Sequence, residues 1–285
     1  MKRSILSFIL TLNLLAIISF DSTGFASNRE FAKYKRVKIA MAQIVSLDGD
    51  KAGNMIRIKN AIMEAQKKHA KIIVFPESCL LGWVNPEAYN SADPIPGKDS
   101  EQICRLAKKY KLYICIGLDE KDGKRLYDSA ILIDDKGHIL LKHRKINVLP
   151  ALMDPPYSIG NGVGVVKTKF GTIGIMICAD SYLDNLLDEM RMQRPDLLLI
   201  PYGWTSTVSN WPARSREFVG VVTHAAKRTG CPVIGTNLIG QIVHGPWSGQ
   251  IFGGQSVSYD INKKSLTVGK DRERDIVMVT VWIRR

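Results

Sequence analysis

Three apolar runs of the sequence are each followed by a reactive side chain: Glu77, Lys145 and Cys178. Loops at the ends of strands supply many catalytic side chains, so these positions are candidates for chemistry. A partly buried carboxylate suits proton transfer, and a nearby lysine stabilises a thiolate or an oxyanion. The cysteine is the nucleophile of such a group. Together the three residue types predict nucleophilic catalysis through sulfur.

Each of the three residues also has an ordinary structural interpretation. Glu77 follows a proline and is typical of a turn, and Lys145 ends a basic segment typical of a solvated turn. Cys178 ends a buried strand and is typical of an inert core thiol. Its surroundings favour reactivity, because the turn after it leads into a predicted helix. The N–H groups that follow, beginning with Ala179, would point at the group the sulfur attacks, and a helix N-terminus favours negative charge there.

Elements that alternate along the chain must position these residues. β-branched runs alternate with stretches of helical spacing, which predicts an α/β protein with mixed sheets and one domain over residues 36–285. Strands are predicted at 37–44, 71–76, 112–118, 129–134, 139–142, 163–169, 173–177, 196–201, 231–236, 255–260, 265–268 and 276–282. Helices are predicted at 50–68, 99–110, 182–194 and 217–228.

The first 26 residues have the pattern of a secretory signal peptide. Lys2 and Arg3 precede an apolar stretch from about residue 5 to 20, and small residues precede a cleavage site after Ala26. An uncleaved membrane anchor is the alternative, but the stretch is short of the roughly 20 residues that span a bilayer. We therefore expect an exported protein, periplasmic or secreted, without stable membrane insertion after cleavage.

Composition excludes several classes of function. Removing the leader takes away two basic residues and one acid, so the formal charge falls from +13 to +12. The basic residues are scattered and no basic run is interleaved with aromatics, which argues against nucleic-acid binding. The five cysteines are an odd number without CxxC spacing, and none lies near a histidine at zinc-ligand spacing. We expect no metal site and at least one unpaired thiol.

The joint order and spacing of the motifs resemble the nitrilase superfamily of carbon–nitrogen hydrolases, over nearly the whole mature chain. The segments that carry the resemblance are Ala40-Met41-Ala42-Gln43, Phe75-Pro76-Glu77, His143-Arg144-Lys145, Cys178-Ala179-Asp180, 196–201 up to Trp204, 233–237 and 253–256.

The resemblance implies a four-layer αββα sandwich with two mixed sheets, paired into homodimers or larger homo-oligomers. It implies Glu77 as general base, Cys178 as nucleophile, and Lys145 with the Ala179 N–H as oxyanion stabilisers. Trp204 is expected at the wall of the substrate pocket. The substrate would be a small amide-type molecule, and no metal or organic cofactor is needed.

The sequence departs from the superfamily pattern in two places. Many members carry a second Glu soon after the Lys, whereas residues 145–160 contain only Asp154 as an acid, which we take as a candidate substitute. Lys227 and Arg228 stand where relatives often have a Glu. Both departures concern the class of substrate.

The expected function is hydrolysis of a small linear amide or N-carbamoyl compound through a thioester on Cys178, with release of ammonia. A nitrile hydrolase and an acyl transferase are alternatives that use the same three residues. A catalytically inactive scaffold that binds a ligand or partner is an alternative of another class. A disulfide-based interaction protein is a further alternative, and it predicts that Cys178 is oxidised.

Overall fold

Residues 33–284 are described by a computed structural model of the chain, and the predicted leader, residues 1–26, lies outside them. Their strands are β1 Tyr34–Gln43, β2 Ile72–Val74, β3 Tyr113–Asp122, β4 Arg125–Ile133, β5 Ile139–Arg144, β6 Gly164–Thr168, β7 Gly171–Ile175, β8 Leu197–Tyr202, β9 Thr205–Ser206, β10 Val233–Asn237, β11 Ile239–Gln241, β12 Ile251–Gly253, β13 Val257–Asp260, β14 Ser265–Val268 and β15 Asp275–Arg284. The helices are α1 Lys51–Lys67, α2 Ala88–Ser91, α3 Lys98–Tyr110, α4 Asp184–Met192 and α5 Trp211–Thr229, with 3₁₀ turns at Pro150–Leu152 and Cys178–Tyr182.

Two mixed six-stranded sheets form the centre of the fold. The first has the order β15-β1-β2-β3-β4-β5, with β1, β2 and β3 parallel and the outer pairs antiparallel. The second has the order β14-β13-β10-β8-β7-β6, with β10, β8 and β7 parallel. A small sheet of β11, β12 and β9 lies apart from them. The predicted α/β fold with two mixed sheets is confirmed.

Strand β1 shows how the layers stack, because its side chains alternate between two cores. Ile39 and Met41 belong to the core that also contains Ile175 and Leu199 of the second sheet. The intervening Ala40 belongs to a second core, which the first sheet shares with α1 and α3. Successive strand residues point to opposite faces, so β1 is buried on both sides. Helices α4 and α5 cover the outer face of the second sheet, which completes four layers.

Local sequence signals explain where the helices begin and end. The side chain of Asp50 accepts a hydrogen bond from the Gly53 N–H at 3.0 Å and caps α1. Helix α5 begins six residues before the predicted start, with Pro212 in its first turn, where a missing N–H costs nothing. It ends at Gly230, whose φ of 74° lies in the left-handed region.

The segment after Cys178 differs from its prediction. A single helix was expected over 182–194, but a 3₁₀ turn covers Cys178–Tyr182 and α4 begins only at Asp184. Strand β7 ends at Ile175, so two residues separate it from the thiol. Within residues 33–284, no helix is both long and apolar enough to cross a bilayer.

Candidate active site

The three predicted catalytic residues meet between the two sheets. Glu77 follows β2, Lys145 follows β5, and Cys178 opens the 3₁₀ turn after β7. The Glu77 N–H donates to the Tyr202 carbonyl of β8 at 3.3 Å, which ties the loop after β2 to the second sheet. All three side chains are buried, with residue exposures of 0%, 4% and 5% respectively. Their burial removes competing water from any charge that they exchange.

Lys145 connects two carboxyl groups. Its ammonium donates to Glu77 Oε1 and, at 3.1 Å, to Asp128 Oδ2. Its backbone N–H also donates to the Asp128 carbonyl at 2.8 Å, so the strand pairing of β4 and β5 fixes its position. Burial by itself lowers the pKa of Lys145, but the charges of Glu77 and Asp128 outweigh it and hold that pKa well above its usual value. Lys145 is therefore a permanent cation of the site.

The charge states of Glu77 and Cys178 suit proton transfer. Burial by itself raises the pKa of Glu77, but the Lys145 charge and hydrogen bonds from its neighbours hold that pKa below the usual value. Burial, together with the charge of Glu77, raises the pKa of Cys178 to about 12. The resting pair is thus a carboxylate beside a neutral thiol, which is the starting state for general-base activation.

Two further groups contact the sulfur. The Tyr182 hydroxyl lies 3.8 Å from Cys178 Sγ, and a hydrogen bond from the Gly203 N–H also lowers the thiol pKa. Cys178 itself has a φ of 42°, in the left-handed region that non-glycine residues seldom occupy. Such backbone strain is common at functional sites, and here it accompanies a sharp turn at the nucleophile.

Glycines allow the chain to approach Glu77 closely. A Cβ at Gly117 would lie 2.6 Å from the Glu77 Cα, and one at Gly203 would lie 2.8 Å from Glu77 Oε2 and 2.3 Å from Trp83 Nε1. Neither position has room for a methyl group. The backbone of β3 and the segment after β8 therefore form the walls against which Glu77 is held.

Asp180 joins the segment that carries Lys145 to the turn that carries Cys178. Its carboxylate accepts four hydrogen bonds of 2.7–3.0 Å, from the His143 ring and from the N–H groups of Ile146, Asn147 and Ile177. Burial by itself raises the pKa of Asp180, but the bond to His143 and the other donors hold it below the usual value. An ionised Asp180 therefore fixes two of the three catalytic segments to each other.

A sequence profile described as carbon–nitrogen hydrolase matches residues 38–283, which is most of the chain. The chain belongs to the carbon–nitrogen hydrolase family. This confirms the resemblance that the motifs indicated.

Solved structures of related hydrolases share the fold. A carbon–nitrogen hydrolase from Helicobacter pylori superposes with a TM-score of 0.76 at 20% identity, covering 87% of this chain and 89% of the other. An amidase from Nesterenkonia sp. superposes with a TM-score of 0.68 at 17% identity, covering 87% and 90%. A variant of that amidase shows covalent addition of the acetamide moiety of fluoroacetamide at the active-site cysteine.

Curated relatives include nitrilases and an amidase. A bifunctional nitrilase/nitrile hydratase of Nicotiana tabacum is 26% identical over 223 residues, covering 70% of this chain. An omega-amidase of Xenopus tropicalis is 27% identical over 179 residues, covering 58% of this chain and 64% of its own. The match spans only 61% of the length of the tobacco protein.

The remaining predicted residues of this hydrolase lie at different distances from the triad. Trp204 is buried and packs edge-on against Tyr182 at a centroid distance of 5.6 Å, close to the thiol. Ala179 is fully buried, and its carbonyl accepts a hydrogen bond from the Asn147 side chain. Asp154 lies on the surface, where its charge acts on Tyr89. The second carboxyl group that contacts Lys145 is Asp128. Asp154 as a substitute for the second Glu stays a prediction.

Sequence reasoning missed three polar side chains around Glu77. Asp128 contacts Lys145, and Asp119 is buried beside it, with the Tyr157 hydroxyl donating to Asp119 at 2.5 Å. The sequence did contain a signal: Asp119 and Asp128 each lie inside an apolar strand, and carboxyl groups are seldom buried without a partner. All five cysteines lie within the described residues, and each is a free thiol there.

Proposed function

We propose that this hydrolase cleaves the carbon–nitrogen bond of a small linear amide or N-carbamoyl compound and releases ammonia. One observation carries the proposal: a buried carboxylate, Glu77, lies beside the neutral thiol of Cys178 and is held there by the ammonium of Lys145. This arrangement performs acyl transfer to sulfur without a preformed thiolate. The amidases among the structural neighbours support the same class of reaction.

The reaction proceeds in two steps. Glu77 takes the Sγ proton as the sulfur attacks the carbonyl carbon, and Lys145 with the Ala179 N–H stabilises the oxyanion. Protonated Glu77 then returns the proton to the nitrogen, the carbon–nitrogen bond breaks, and ammonia leaves a thioester on Cys178. A water that gives its proton to Glu77 attacks the thioester, and the carboxylic acid and the free thiol are formed.

The burial of the site supports a small substrate. Cys178 is only 5% exposed, so its sulfur is out of reach of a folded partner or a polypeptide chain.

Ammonia release over a panel of linear amides, N-carbamoyl amino acids and nitriles tests the proposal. At least one amide or carbamoyl compound should yield ammonia, and Cys178→Ala should abolish it. Cys104→Ala is the matched control, because Cys104 is half-buried in α3 and should leave turnover unchanged. Turnover by Cys178→Ala at the parent rate, or no ammonia from any compound, would contradict the proposal and favour the inactive scaffold.

A second candidate is hydrolysis of a nitrile, which the tobacco relative supports by its name. A nitrile carbon accepts the same sulfur nucleophile and yields a thioimidate before the thioester. The nitriles in the panel separate the two candidates, since an amidase leaves them intact. Adding hydroxylamine tests the acyl-transferase alternative, because a transferase forms a hydroxamate in preference to the acid.

Assembly and location are proposals that rest on the sequence. The family resemblance supports a homodimer or larger homo-oligomer, which sedimentation velocity of the purified protein tests: a single monomeric species contradicts it. The pattern of residues 1–26 supports export and cleavage after Ala26. N-terminal sequencing of the mature protein, expected to begin at Ser27, tests that proposal.

A further inference from the structure

Three carboxyl groups are buried around a single ammonium. Glu77, Asp119 and Asp128 are each at most 6% exposed. Lys145 forms ion pairs with Glu77 and Asp128, and Asp119 has no ion pair within residues 33–284. If all three acids were ionised, two negative charges would remain uncompensated in an almost fully buried site. An unpaired buried charge costs several kcal/mol, on the order of the whole stability of a domain, so the site must hold at least one proton.

The strand register brings two of these acids directly against each other. Asp119 of β3 and Asp128 of β4 are paired residues of the antiparallel ladder, so their side chains project from the same face. Like charges in that position destabilise a sheet. The Tyr157 hydroxyl and, at 3.3 Å, the Ser78 hydroxyl donate to Asp119 Oδ1, and these bonds favour its anion. Within the described residues, Lys145 is the only group that donates a hydrogen bond to the carboxyl group of Asp128.

Glu77 and Asp128 each leave one oxygen without a donor. Glu77 Oε2 and Asp128 Oδ1 are buried and have no hydrogen-bond partner within residues 33–284, and the same holds for Asp119 Oδ2. The two carboxyl groups lie within hydrogen-bonding reach of each other. Two carboxylates repel at that distance, whereas an acid and a carboxylate share a proton. A proton between them supplies the donor that the pair otherwise lacks.

The geometry favours a proton on Asp128, because Asp128 lies directly opposite Asp119, whose anion is favoured by two hydroxyl donors. Burial raises the pKa of Asp128 well above its usual value; the charge of Lys145 opposes this, and the charges of Glu77 and Asp119 add to it. The pKa of Glu77 is instead held below its usual value. The titratable groups that face Asp128 are Glu77, Asp119, Lys145 and Tyr157, and Lys145 is the one cation among them.

We propose that Asp128 is a positioning residue that works as a neutral carboxylic acid: it donates its proton in a hydrogen bond to Glu77 and holds Lys145 in place, so that Glu77 alone is the ionised base. The inference rests on the proposed function, since it assigns a role beside the same thiol. A neutral Asp128 leaves the full charge of Lys145 to Glu77 and to the oxyanion. An ionised Asp128 would divide that charge and repel the developing thiolate.

Infrared difference spectroscopy tests the proton without any turnover. The parent-minus-Asp128→Asn spectrum at pH 8 should contain the C=O stretching band of a neutral carboxylic acid. Asp119, whose pKa is about 7, is mostly ionised at that pH, so the band belongs to Asp128. Asp134→Asn is the matched control and should remove no such band, because hydrogen bonds from the segment that ends at His138 outweigh burial and keep the pKa of Asp134 low. A parent spectrum with only carboxylate bands at Asp128 overturns the proposal.

Alkylation of Cys178 by iodoacetamide tests the positioning role without the natural substrate. Asp128→Asn keeps a neutral donor of the same shape, so its rate at pH 7 should stay within about threefold of the parent. Asp128→Ala removes the donor and the contact with Lys145, and its rate should fall about tenfold or more. The ratio of the parent rate to the Asp128→Asn rate should fall at alkaline pH, because Asp128 ionises only in the parent.

The outcomes separate this inference from the proposed function. A neutral-acid band with a retained Asp128→Asn alkylation rate supports the role of Asp128 even if no amide in the panel yields ammonia. If Cys178 is alkylated as slowly in Asp128→Asn as in Glu77→Gln, the site requires an ionised Asp128. That result overturns the inference even if amides are hydrolysed.

Discussion

In the proposed reaction, Cys178 works as a thiol that must be deprotonated before it attacks. Its pKa, raised by burial to about 12, leaves almost no thiolate at neutral pH. Glu77 is ionised over the same range, because Lys145 holds its pKa low. Activity therefore depends on proton transfer between two buried side chains, and the geometry that holds them matters more than the intrinsic acidity of the sulfur.

Asp119→Asn should change how stability depends on pH. Burial raises the pKa of Asp119 to about 7, above its unfolded value of 3.8, while the hydrogen bonds from Tyr157 and Ser78 oppose the shift. The folded state then binds the proton more tightly, so the contribution of Asp119 is complete below pH 3.8 and is lost as pH rises through 7. Urea unfolding at pH 5 and pH 8 should show a smaller fall in the free energy of unfolding for Asp119→Asn than for the parent.

Asp134→Asn is the control of opposite sign. Burial by itself raises the pKa of Asp134, but hydrogen bonds from the backbone and side chain of His138 hold it low, so its contribution is present above the unfolded pKa and is lost as pH falls. This variant should lose stability at pH 8 rather than gain it. If the free energy of unfolding falls equally between pH 5 and pH 8 in the parent and in Asp119→Asn, Asp119 is ionised in both the folded and the unfolded state.

At the scale of elements, the site depends on contacts between segments that different strands deliver. Asp180 fixes the segment after β5 to the turn after β7. Its carboxylate oxygens accept hydrogen bonds from three backbone N–H groups. The strand pairing of β4 with β5 sets the position of Lys145. The loops on which the catalytic side chains stand are thus held by hydrogen bonds to a buried carboxylate as well as by the sheets.

Asp180→Ala should damage both stability and reactivity. Three backbone N–H groups, one of them fully buried, would lose their acceptor, which should lower the free energy of unfolding by about 3 kcal/mol. The positions of Lys145 and Cys178 relative to each other would also be less fixed, so iodoacetamide should alkylate Cys178 more slowly. Urea unfolding measures the loss of stability, and the alkylation rate is measured under conditions in which the variant is still folded.

Asp260→Ala separates these two effects. Asp260 is also buried and accepts from the N–H groups of Asn262 and Trp282, but it lies at the far end of the second sheet. Its replacement should lower stability and leave the alkylation rate of Cys178 at the parent value. If Asp180→Ala also leaves that rate unchanged, Asp180 serves the fold and not the catalytic geometry.

At the scale of the whole molecule, contacts between distant parts of the chain close the site. His244 lies 2.6 Å from Asp48 through Nδ1, and its Nε2 lies 3.0 and 3.1 Å from the carbonyls of Trp83 and Val84. Each ring nitrogen faces an acceptor, which favours the doubly protonated imidazolium. The same segment packs the Trp247 ring against Trp83 at 5.5 Å, and Trp83 in turn lies beside Gly203 at the catalytic wall.

His244→Gln should remove a pH-dependent part of the stability. The hydrogen bond to Asp48 raises the pKa of His244 against the effect of burial. A raised folded pKa means that the contribution is complete below the unfolded value of about 6.5 and is lost as pH rises through the folded value. The parent should exceed His244→Gln in melting temperature at pH 6 by more than at pH 9.

His224→Gln is the control, because His224 pairs with Asp184 on the surface with half of each side chain exposed. Exposed pairs contribute little to stability, so this variant should stay near the parent at both pH values. If the melting temperature of His244→Gln differs from that of the parent by the same amount at pH 6 and pH 9, the ring contributes by packing and not by its charge.

The sequence by itself predicted the residues and the proposed chemistry of the site. Glu77, Lys145 and Cys178 each follow an apolar strand, and strand ends are readable from local patterns of side-chain polarity. The alternation of strands and helices also determined the fold class. The helix boundary at Trp211 was missed because the apolar spacing begins only later, and the short strands β9, β11 and β12 carry too few residues for a pattern.

Only the tertiary structure decided which acids surround Lys145. Asp154 is close to it in sequence, yet it lies on the surface, whereas Asp128 and Asp119 reach the site through the register of β3, β4 and β5. A shift of one residue in that register would turn their side chains to the other face of the sheet. Local sequence patterns cannot fix such a register, because it depends on how all the strands pack together.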